Sequence, residues 1–503
     1  MAKSIMIQGT MSNAGKSLIA AGLCRIFKQD GYKVAPFKSQ NMALNSYVTK
    51  EGLEMGRAQV VQAMAAGVEP SVRMNPILLK PTTDMGSQVI VQGQVVGNMR
   101  AMDYFVKKKE YIPVIRESYE QLAAKHDIIV IEGAGSPAEI NLKQDDIVNM
   151  GMAKIADAPV LLVGDIDRGG VFAQLIGTVM LLEPEEQDRI KGLIVNKFRG
   201  DKKILDPGIA MLEERAGKPV LGVVPYADVD IEDEDSLASS LTETHIQAEI
   251  DVAVIRFPRI SNFTDMQALS MERDVSVRYV TKPSDLGEPD VILLPGTKNT
   301  IQDLLWLRES GLETKITRLA KKGTIVFGIC GGYQMLGGAL KDPMQTESAL
   351  GGVRGMGLLP VATVFEEEKQ LENRTYRIGM PEGIFASLGG EKVTGYEIHM
   401  GRTKAADNDA VLQPFVIGPD GEVLGYAAGT VAGSYIHGIF DEVAFREAFI
   451  NLLYARKGKT RGESEHLSIH EYREQQFDKL AQILRESLDM DRIYEILELR
   501  RLR

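Results

Sequence analysis

The chain has 503 residues, of which 44% are hydrophobic and 25% charged, and its formal net charge is −11. This length predicts two or three domains, each with its own core. A net acidic chain is not typical of a general nucleic-acid or membrane-surface binder, so we expect neither partner. Only two cysteines occur, Cys24 and Cys330. They predict no disulfide framework and favour a reducing, cytoplasmic setting.

The N-terminal residues predict a strand, a glycine-rich loop and a helix. The loop ends in Gly15-Lys16-Ser17, as a P-loop does, where backbone N–H groups and the lysine bind phosphates and the hydroxyl binds Mg²⁺. Five residues, instead of the usual four, separate Gly9 from Gly15. This longer loop resembles that of dethiobiotin synthetase and its relatives, which activate carboxylates with ATP. The resemblance implies ATP and Mg²⁺ as cofactors; the alternative is a plain glycine-rich turn.

Three more candidate residues follow or end predicted buried strands of the N-terminal half. By resemblance to the same enzymes, Lys38 faces the phosphates. Glu132 ends an apolar strand, where a P-loop enzyme needs a carboxylate to hold Mg²⁺. Asn196 precedes a lysine in a pair that resembles the base-recognition segment of P-loop nucleotidases, which makes it a candidate adenine contact. The repeated strand–helix order predicts one doubly wound parallel sheet over residues 1–227.

An acidic stretch separates this half from a second α/β pattern. Residues 228–248 combine a run of Asp and Glu with Ser and Thr. This composition predicts a linker, and a solvated loop-helix is the alternative. The second α/β pattern occupies residues 249–450, which we predict to form a second domain.

The most specific signal of the chain lies in residues Gly328–Gln334, which read Gly-Ile-Cys-Gly-Gly-Tyr-Gln. A cysteine at a tight strand-to-helix turn has an exposed sulfur, and the helix N-terminus favours its thiolate. Alone, Cys330 is equally well explained as a small core residue. The pattern G-x-C-x-G-x-Q resembles the nucleophile motif of class I glutamine amidotransferases, which release ammonia from glutamine through a cysteine thioester. That resemblance implies a flavodoxin-like domain, a catalytic Cys330, and oxyanion N–H groups from Gly296 and Gly331.

A thiol nucleophile needs a base, and two histidines compete for that role. His437 follows a predicted strand about a hundred residues after the cysteine, as the histidine of amidotransferase domains does, and His399 is its rival. Most class I amidotransferases have a glutamate two residues after the histidine, where this chain has Ile439. We therefore expect a Cys–His dyad, or another carboxylate such as Glu397 or Asp441 that orients the histidine.

Three segments narrow the resemblance: Phe37–Met42, Pro258–Asp265 and Gly395–Gly401. A variant P-loop domain ahead of an amidotransferase domain without the glutamate resembles the cobyrinic acid amidating enzymes of cobalamin biosynthesis. Within these, the three segments are similar to those of cobyric acid synthases, and the resemblance covers nearly all of residues 1–450. It implies two substrates, glutamine and adenosylcobyrinic acid a,c-diamide. It also implies phosphorylation of the corrinoid b, d, e and g carboxylates and displacement of phosphate by ammonia.

Two alternatives stay open from the sequence. One is cobyrinic acid a,c-diamide synthase or a related amidase of cell-wall precursors. The other is a P-loop regulatory ATPase of the partitioning type that carries an inactive amidotransferase module.

Residues 451–503 predict a C-terminal helical segment. Ser468–Glu471 fits a capping box, and apolar residues recur at helical spacing after it. The sequence leaves open whether these helices pack on the second domain or form the contact of a homo-oligomer.

Overall fold

The computed structural model describes residues 2–83, 86–231, 248–406, 411–462 and 467–501. Most of the predicted linker, residues 228–248, lies outside these ranges. The chain divides into two compact units. The first comprises Met1–Ala43, Glu54–Glu232 and Tyr472–Arg503, and the second comprises Leu44–Leu53 and Asp233–Glu471.

Strands and helices alternate along most of the chain. The strands are β1 Lys3–Gly9, β2 Val34–Phe37, β3 Gln40–Met42, β4 Ser46–Val48, β5 Glu54–Gly56, β6 Ile77–Thr83, β7 Gly86–Val91, β8 Gln94–Arg100, β9 Ile128–Glu132, β10 Val160–Asp165, β11 Ile190–Phe198, β12 Val220–Pro225, β13 Ile250–Ile255, β14 Val275–Val280, β15 Val291–Leu294, β16 Ile325–Ile329, β17 Ala339–Lys341, β18 Gly352–Arg354, β19 Val361–Ile378, β20 Lys392–Ala405, β21 Gln413–Ile417, β22 Val423–Ala428 and β23 Val431–Ser434. The helices are α1 Lys16–Gln29, α2 Arg57–Ala66, α3 Ala101–Lys107, α4 Ile112–Ala123, α5 Met150–Ile155, α6 Val171–Leu181, α7 Pro184–Arg189, α8 Lys202–Ala216, α9 Gln267–Ser270, α10 Pro283–Leu286, α11 Thr300–Glu309, α12 Leu312–Lys321, α13 Gly331–Leu336, α14 Val443–Arg456, α15 Ile469–Ser487 and α16 Met490–Ile496.

The first unit is built on a parallel sheet with the strand order β12-β11-β10-β1-β9-β2. Its central strands are short apolar runs that are buried along their whole length, as parallel strands covered on both faces must be. The predicted doubly wound parallel sheet is confirmed. Since β1 lies between β9 and β10, the loop after β1 opens at the middle of the sheet, next to the end of β9. A smaller sheet with the order β3-β6-β7-β8 lies in the same part of the chain.

The C-terminal helices belong to the first unit. The apolar face of α15, with Phe477, Leu480 and Leu484, packs into the same core as α1. The approach is close at Gly22, where an added Cβ would lie 2.3 Å from Leu484 Cδ1. This packing is neither of the two arrangements considered from the sequence, because the apolar stripe of an isolated helix does not identify its partner. The predicted capping box at the start of α15 is confirmed by reciprocal Ser468 and Glu471 hydrogen bonds of 3.0 and 3.1 Å.

The second unit has a long mixed sheet with the order β14-β13-β15-β16-β23-β22-β21-β19-β17-β18, and β20 pairs with β19. The part from β14 to β23 is parallel and carries the candidate site. Residues Leu44–Leu53 belong to this unit although they come from the N-terminal part of the chain. There Asn45 Oδ1 accepts a hydrogen bond of 2.7 Å from the Asn262 N–H. Among the described residues, no helix is long and apolar enough to cross a membrane.

Candidate active sites

The cysteine of the second unit lies at a strained turn between β16 and α13. Cys330 has φ 51° and ψ −109°, a left-handed backbone conformation that costs a non-glycine residue free energy. Its N–H donates to the Ser434 carbonyl at 2.8 Å, which ties the turn to the end of β23. Gly332 follows at a position where an added Cβ would lie 2.0 Å from the Leu294 carbonyl oxygen. The turn therefore needs glycine for close packing, as a nucleophile elbow does.

His437 lies three residues after β23 and is 1% exposed. Its Nδ1 is 2.7 Å from Asp265 Oδ2, and the Gly438 N–H donates to Asp265 Oδ1 at 2.9 Å. Asp265 belongs to a short 3-10 turn, Phe263–Met266, that follows β13. One carboxylate therefore binds both the ring and the adjacent backbone, which fixes the ring orientation. The other ring nitrogen is left to interact with Cys330.

The pKa of His437 follows from these neighbours. Burial alone lowers it, but the Asp265 carboxylate and the hydrogen bond with Cys330 outweigh burial and raise the pKa of His437 to about 10. The ring is therefore an imidazolium at neutral pH. An imidazolium beside a sulfur stabilises the thiolate, the reactive form of cysteine.

The two predicted oxyanion residues lie on adjacent loops around this pair. An added Cβ at Gly296 would lie 3.1 Å from His437 Cε1, and one at Gly331 would lie 2.7 Å from Thr297 Cγ2. The Gly332 N–H donates to Pro295 at 3.1 Å and joins the loops. Within the ranges that the structure describes, neither the Gly296 nor the Gly331 N–H donates to another protein group. Both remain candidates for binding an oxyanion.

In the first unit, the loop between β1 and α1 has the form of a P-loop. Gly15 has φ 98°, and an added Cβ there would lie 2.0 Å from Asn196 Nδ2. The Asn196 amide donates to the Ala14 carbonyl at 2.9 Å. Lys16 extends across the loop, and its Nζ donates to the carbonyls of Met11 and Gly135 at 3.0 and 3.1 Å.

The carboxylate beside this loop is Glu132, which is 1% exposed. Its Oε1 accepts from Ser17 Oγ at 2.8 Å and lies 2.9 Å from Lys38 Nζ. Burial raises its pKa, but Lys38 and the hydrogen bonds from Lys38, Gln62 and Ser17 outweigh burial, so the pKa lies below its usual value. The structure therefore brings Ser17, Lys38 and an ionised Glu132 together beside the loop. The sequence analysis gave no role to Gln62, since a buried glutamine on an Ala-rich helix carries no motif.

Comparison with known proteins identifies the family. Residues 5–237 match the CobQ/CobB/MinD/ParA nucleotide binding domain, and residues 251–445 match the CobB/CobQ-like glutamine amidotransferase domain. Cobyric acid synthase of Lachnoclostridium phytofermentans is 57% identical, with 99% of each chain covered. The enzymes of Clostridium acetobutylicum and Ruminiclostridium cellulolyticum are 53% and 54% identical, with at least 98% of each chain covered.

The chain belongs to the cobyric acid synthase family. It is therefore an enzyme, a glutamine-dependent amidating ligase with a nucleotide-binding domain and a glutamine amidotransferase domain. All three relatives are named cobyric acid synthase. None of them is named a cobyrinic acid a,c-diamide synthase, an amidase of cell-wall precursors or a partitioning ATPase.

One expectation about this cobyric acid synthase family member needs correction. The missing glutamate at Ile439 predicted a dyad, or another orienting carboxylate such as Glu397 or Asp441. A carboxylate is bonded to His437 Nδ1, but it belongs to neither of these residues: it is Asp265, 172 positions earlier in the chain. Local sequence around the histidine could not find it, because the contact depends on the packing of β13 beside the site. Glu397 is bonded to His399 and Tyr376.

His399, the rival histidine, has both ring nitrogens engaged elsewhere. Its Nδ1 lies 2.8 Å from the Gly401 carbonyl oxygen, and its Nε2 lies 3.1 Å from Glu397. His437 is the histidine that interacts with Cys330. The arrangement therefore supports His437 over His399 as the partner of the thiol.

Proposed function

We propose that this enzyme amidates the b, d, e and g carboxylates of adenosylcobyrinic acid a,c-diamide with ATP and glutamine. The observation that carries the proposal is His437, held between Asp265 and Cys330, since this alignment supports a glutaminase that supplies ammonia. Family membership supports the corrinoid as the substrate that receives the ammonia. With no disulfide among the described residues, where both cysteines are free, we infer a cytoplasmic setting.

The glutaminase reaction uses one thiolate and one proton. The Cys330 sulfur attacks the side-chain carbonyl carbon of glutamine, and the N–H groups of Gly296 and Gly331 bind the oxyanion. The His437 imidazolium gives its proton to the leaving nitrogen, the C–N bond breaks, and ammonia and a γ-glutamyl thioester result. A water molecule then attacks the thioester, and neutral His437 takes a proton from that water. The C–S bond breaks, which restores the Cys330 thiolate and the His437 imidazolium, and glutamate leaves after its new carboxyl group loses a proton to solvent. Asp265 keeps the ring oriented and stabilises its charged form.

The synthetase reaction activates a carboxylate. A carboxylate oxygen of the corrinoid attacks the γ-phosphorus of ATP, ADP leaves, and an acyl phosphate forms. Ammonia attacks the acyl carbon, and phosphate leaves as the amide forms. Lys16 and Lys38 place positive charge where the transferred phosphoryl group develops negative charge. Asn196 stays a candidate adenine contact from the sequence alone. In the structure its amide donates to the Ala14 carbonyl of the P-loop.

The residues at the P-loop fit a magnesium ion. Glu132 and Ser17 offer a carboxylate and a hydroxyl whose oxygens are 2.8 Å apart. Gln62 on α2, which donates to Glu132, and Gln8 on β1 each have a buried side-chain oxygen without a hydrogen-bond partner among the described residues. These oxygens are acceptors available to metal-bound water. Mg²⁺ usually keeps several waters and binds few protein oxygens. When bound, Mg²⁺ neutralises charge on the β- and γ-phosphates.

Product mass tests the proposal. Purified enzyme with ATP, glutamine and adenosylcobyrinic acid a,c-diamide should convert the corrinoid into a product with four additional amides. A cobyrinic acid a,c-diamide synthase would leave this substrate unchanged and add two amides to cobyrinic acid. That outcome would reject the proposed substrate while leaving the glutaminase site untouched.

A further inference from the structure

A second buried histidine lies near the candidate glutaminase site, and the proposed chemistry gives it no role. His399 and Glu397 lie on β20 and are 7% and 3% exposed. His399 Nδ1 is 2.8 Å from the Gly401 carbonyl oxygen, and Nε2 is 3.1 Å from Glu397 Oε2. A carbonyl oxygen only accepts hydrogen bonds, so Nδ1 carries a proton. The other ring nitrogen, Nε2, forms the hydrogen bond with Glu397.

Glu397 has further polar neighbours. Its Oε1 accepts from Tyr376 Oη at 2.9 Å, and the Arg374 guanidinium lies 3.9 Å away. Burial and the Glu397 carboxylate raise the pKa of Tyr376 well above its usual value, so the hydroxyl stays a donor. Both oxygens of Glu397 and both ring nitrogens of His399 are therefore held by hydrogen bonds.

The His399 ring also has an aromatic neighbour. Tyr435 stacks on His399 with centroids 3.7 Å apart and planes 16° apart. Stacked aromatic rings attract each other. A buried polar pair still adds little net stability, because its hydrogen bonds mainly offset the cost of burial. Its presence here is better explained by the geometry that it imposes.

The strand that carries the pair contacts the reacting residues of the site. Tyr396 exchanges two backbone hydrogen bonds with His437, at 3.1 and 2.9 Å. The Ile398 carbonyl oxygen lies 3.7 Å from Cys330 Sγ. A shift of β20 by even a fraction of an ångström would therefore move groups that contact both the nucleophile and its histidine.

We propose that the hydrogen-bonded His399–Glu397 pair is a positioning element of the glutaminase site. It fixes the backbone of β20, and β20 sets the alignment of Cys330 and His437. The inference rests on the proposed glutaminase role of those two residues. His399 itself has its hydrogen bonds to Gly401 and Glu397, so it acts through the strand and not on glutamine.

Nuclear magnetic resonance of the full chain labelled with [¹⁵N]histidine tests the His399–Glu397 hydrogen bond without any assay of activity. The His399 signals are assigned by their loss in His399→Gln. In Glu397→Gln the Nε2 signal should shift, because its partner changes from a carboxylate to an amide. An Nε2 signal that is the same in the wild type and in Glu397→Gln would overturn the proposal even if the glutaminase role holds.

Kinetics test the positioning role. In folded His399→Gln, kcat for glutamine hydrolysis should fall about tenfold to a hundredfold, the size expected for small misalignments, with KM for glutamine unchanged. The double variant with Glu397→Gln should recover part of this loss, because two amides restore a neutral hydrogen-bonded pair. The matched control is His470→Gln, an exposed position of the same unit, which should keep wild-type kcat.

Three kinetic outcomes would contradict the proposal: wild-type kcat in His399→Gln, a change in KM alone, or losses that multiply in the double variant. Each of them would leave the proposed glutaminase site intact. That site is tested separately, since retained glutamine hydrolysis in Cys330→Ala would reject it whatever the state of His399.

Discussion

The two candidate sites of this enzyme are built in different ways. The P-loop of the first unit is one contiguous segment, and Glu132 joins it from the end of a neighbouring strand. The candidate glutaminase site of the second unit combines Cys330, His437 and Asp265, and the last two are 172 positions apart. A contiguous site is visible in sequence as a motif. In a site assembled from distant segments, each motif can be read separately, but the sequence does not show which motifs meet. Asp265 ends the segment Pro258–Asp265, and nothing in that segment links it to His437.

The nucleophile gives the largest expected effect. Cys330→Ala should lower glutamine-dependent amidation by about 10⁴-fold or more, because no other group can form the thioester. Amidation with high concentrations of ammonia should persist, since the P-loop belongs to the other unit. Both rates can be measured by product mass. Loss of the ammonia-dependent rate in a folded variant would mean that the two reactions do not have separate sites.

The P-loop lysine gives the converse pattern. Lys16→Ala should lower amidation from glutamine and from ammonia alike, by about a thousandfold, because the acyl phosphate no longer forms. Glutamine hydrolysis should continue in the same variant. Lys202→Ala, an exposed lysine on α8, is the matched control. Ammonia-dependent synthesis at the wild-type rate in Lys16→Ala would show that the loop is structural.

Asp265 is the residue of the candidate glutaminase site to which the sequence analysis gave no role, so its substitution tests what only the structure shows. Asp265→Asn should lower glutaminase kcat by about a hundredfold to 10⁴-fold, since an amide orients the ring less well and does not stabilise the imidazolium. Asp441→Asn, which changes an orienting residue considered from the sequence, should have little effect. If Asp441→Asn lowered kcat and Asp265→Asn did not, the residue that orients His437 would be Asp441 and not Asp265.

The two histidines can be separated by trapping Cys330 with an electrophilic glutamine analogue. His437→Ala should lose most labelling, because the thiolate loses its imidazolium partner. His399→Ala should still be labelled, although more slowly if β20 is displaced. Intact-protein mass gives both rates. If labelling survived in His437→Ala and disappeared in His399→Ala, with both proteins folded, the partner of the Cys330 thiol would be His399 and not His437.

The smallest effect is a pH dependence of stability. Folding raises the pKa of His437 from its ordinary 6.5 to about 10, so the folded chain binds a proton that the unfolded chain releases. The resulting stabilisation is complete below about pH 6.5 and is lost as the pH rises through 10. Denaturant unfolding of the second unit should therefore show a steeper loss of stability from pH 7 to 10 in the wild type than in Asp265→Asn. Equal slopes would mean that Asp265 does not hold the charged ring.

The sequence by itself determined most of the fold and several members of each site. Buried apolar strands, the Gly15-Lys16-Ser17 ending and the motif around Cys330 depend on local spacing, and local spacing can be read from residues. The helices of the C-terminal segment and the capping box could also be predicted from residues a few positions apart. Each of these features needs only neighbours within a few positions of the chain.

Only the tertiary structure decided which distant groups meet. The apolar stripe of α15 packs into the core of the first unit, Asp265 binds His437, and Glu397 binds His399. An apolar stripe or a carboxylate has many chemically equivalent partners in a chain of this length. Strand order and turn geometry choose among them, because hydrogen bonds and packing act only over a few ångströms.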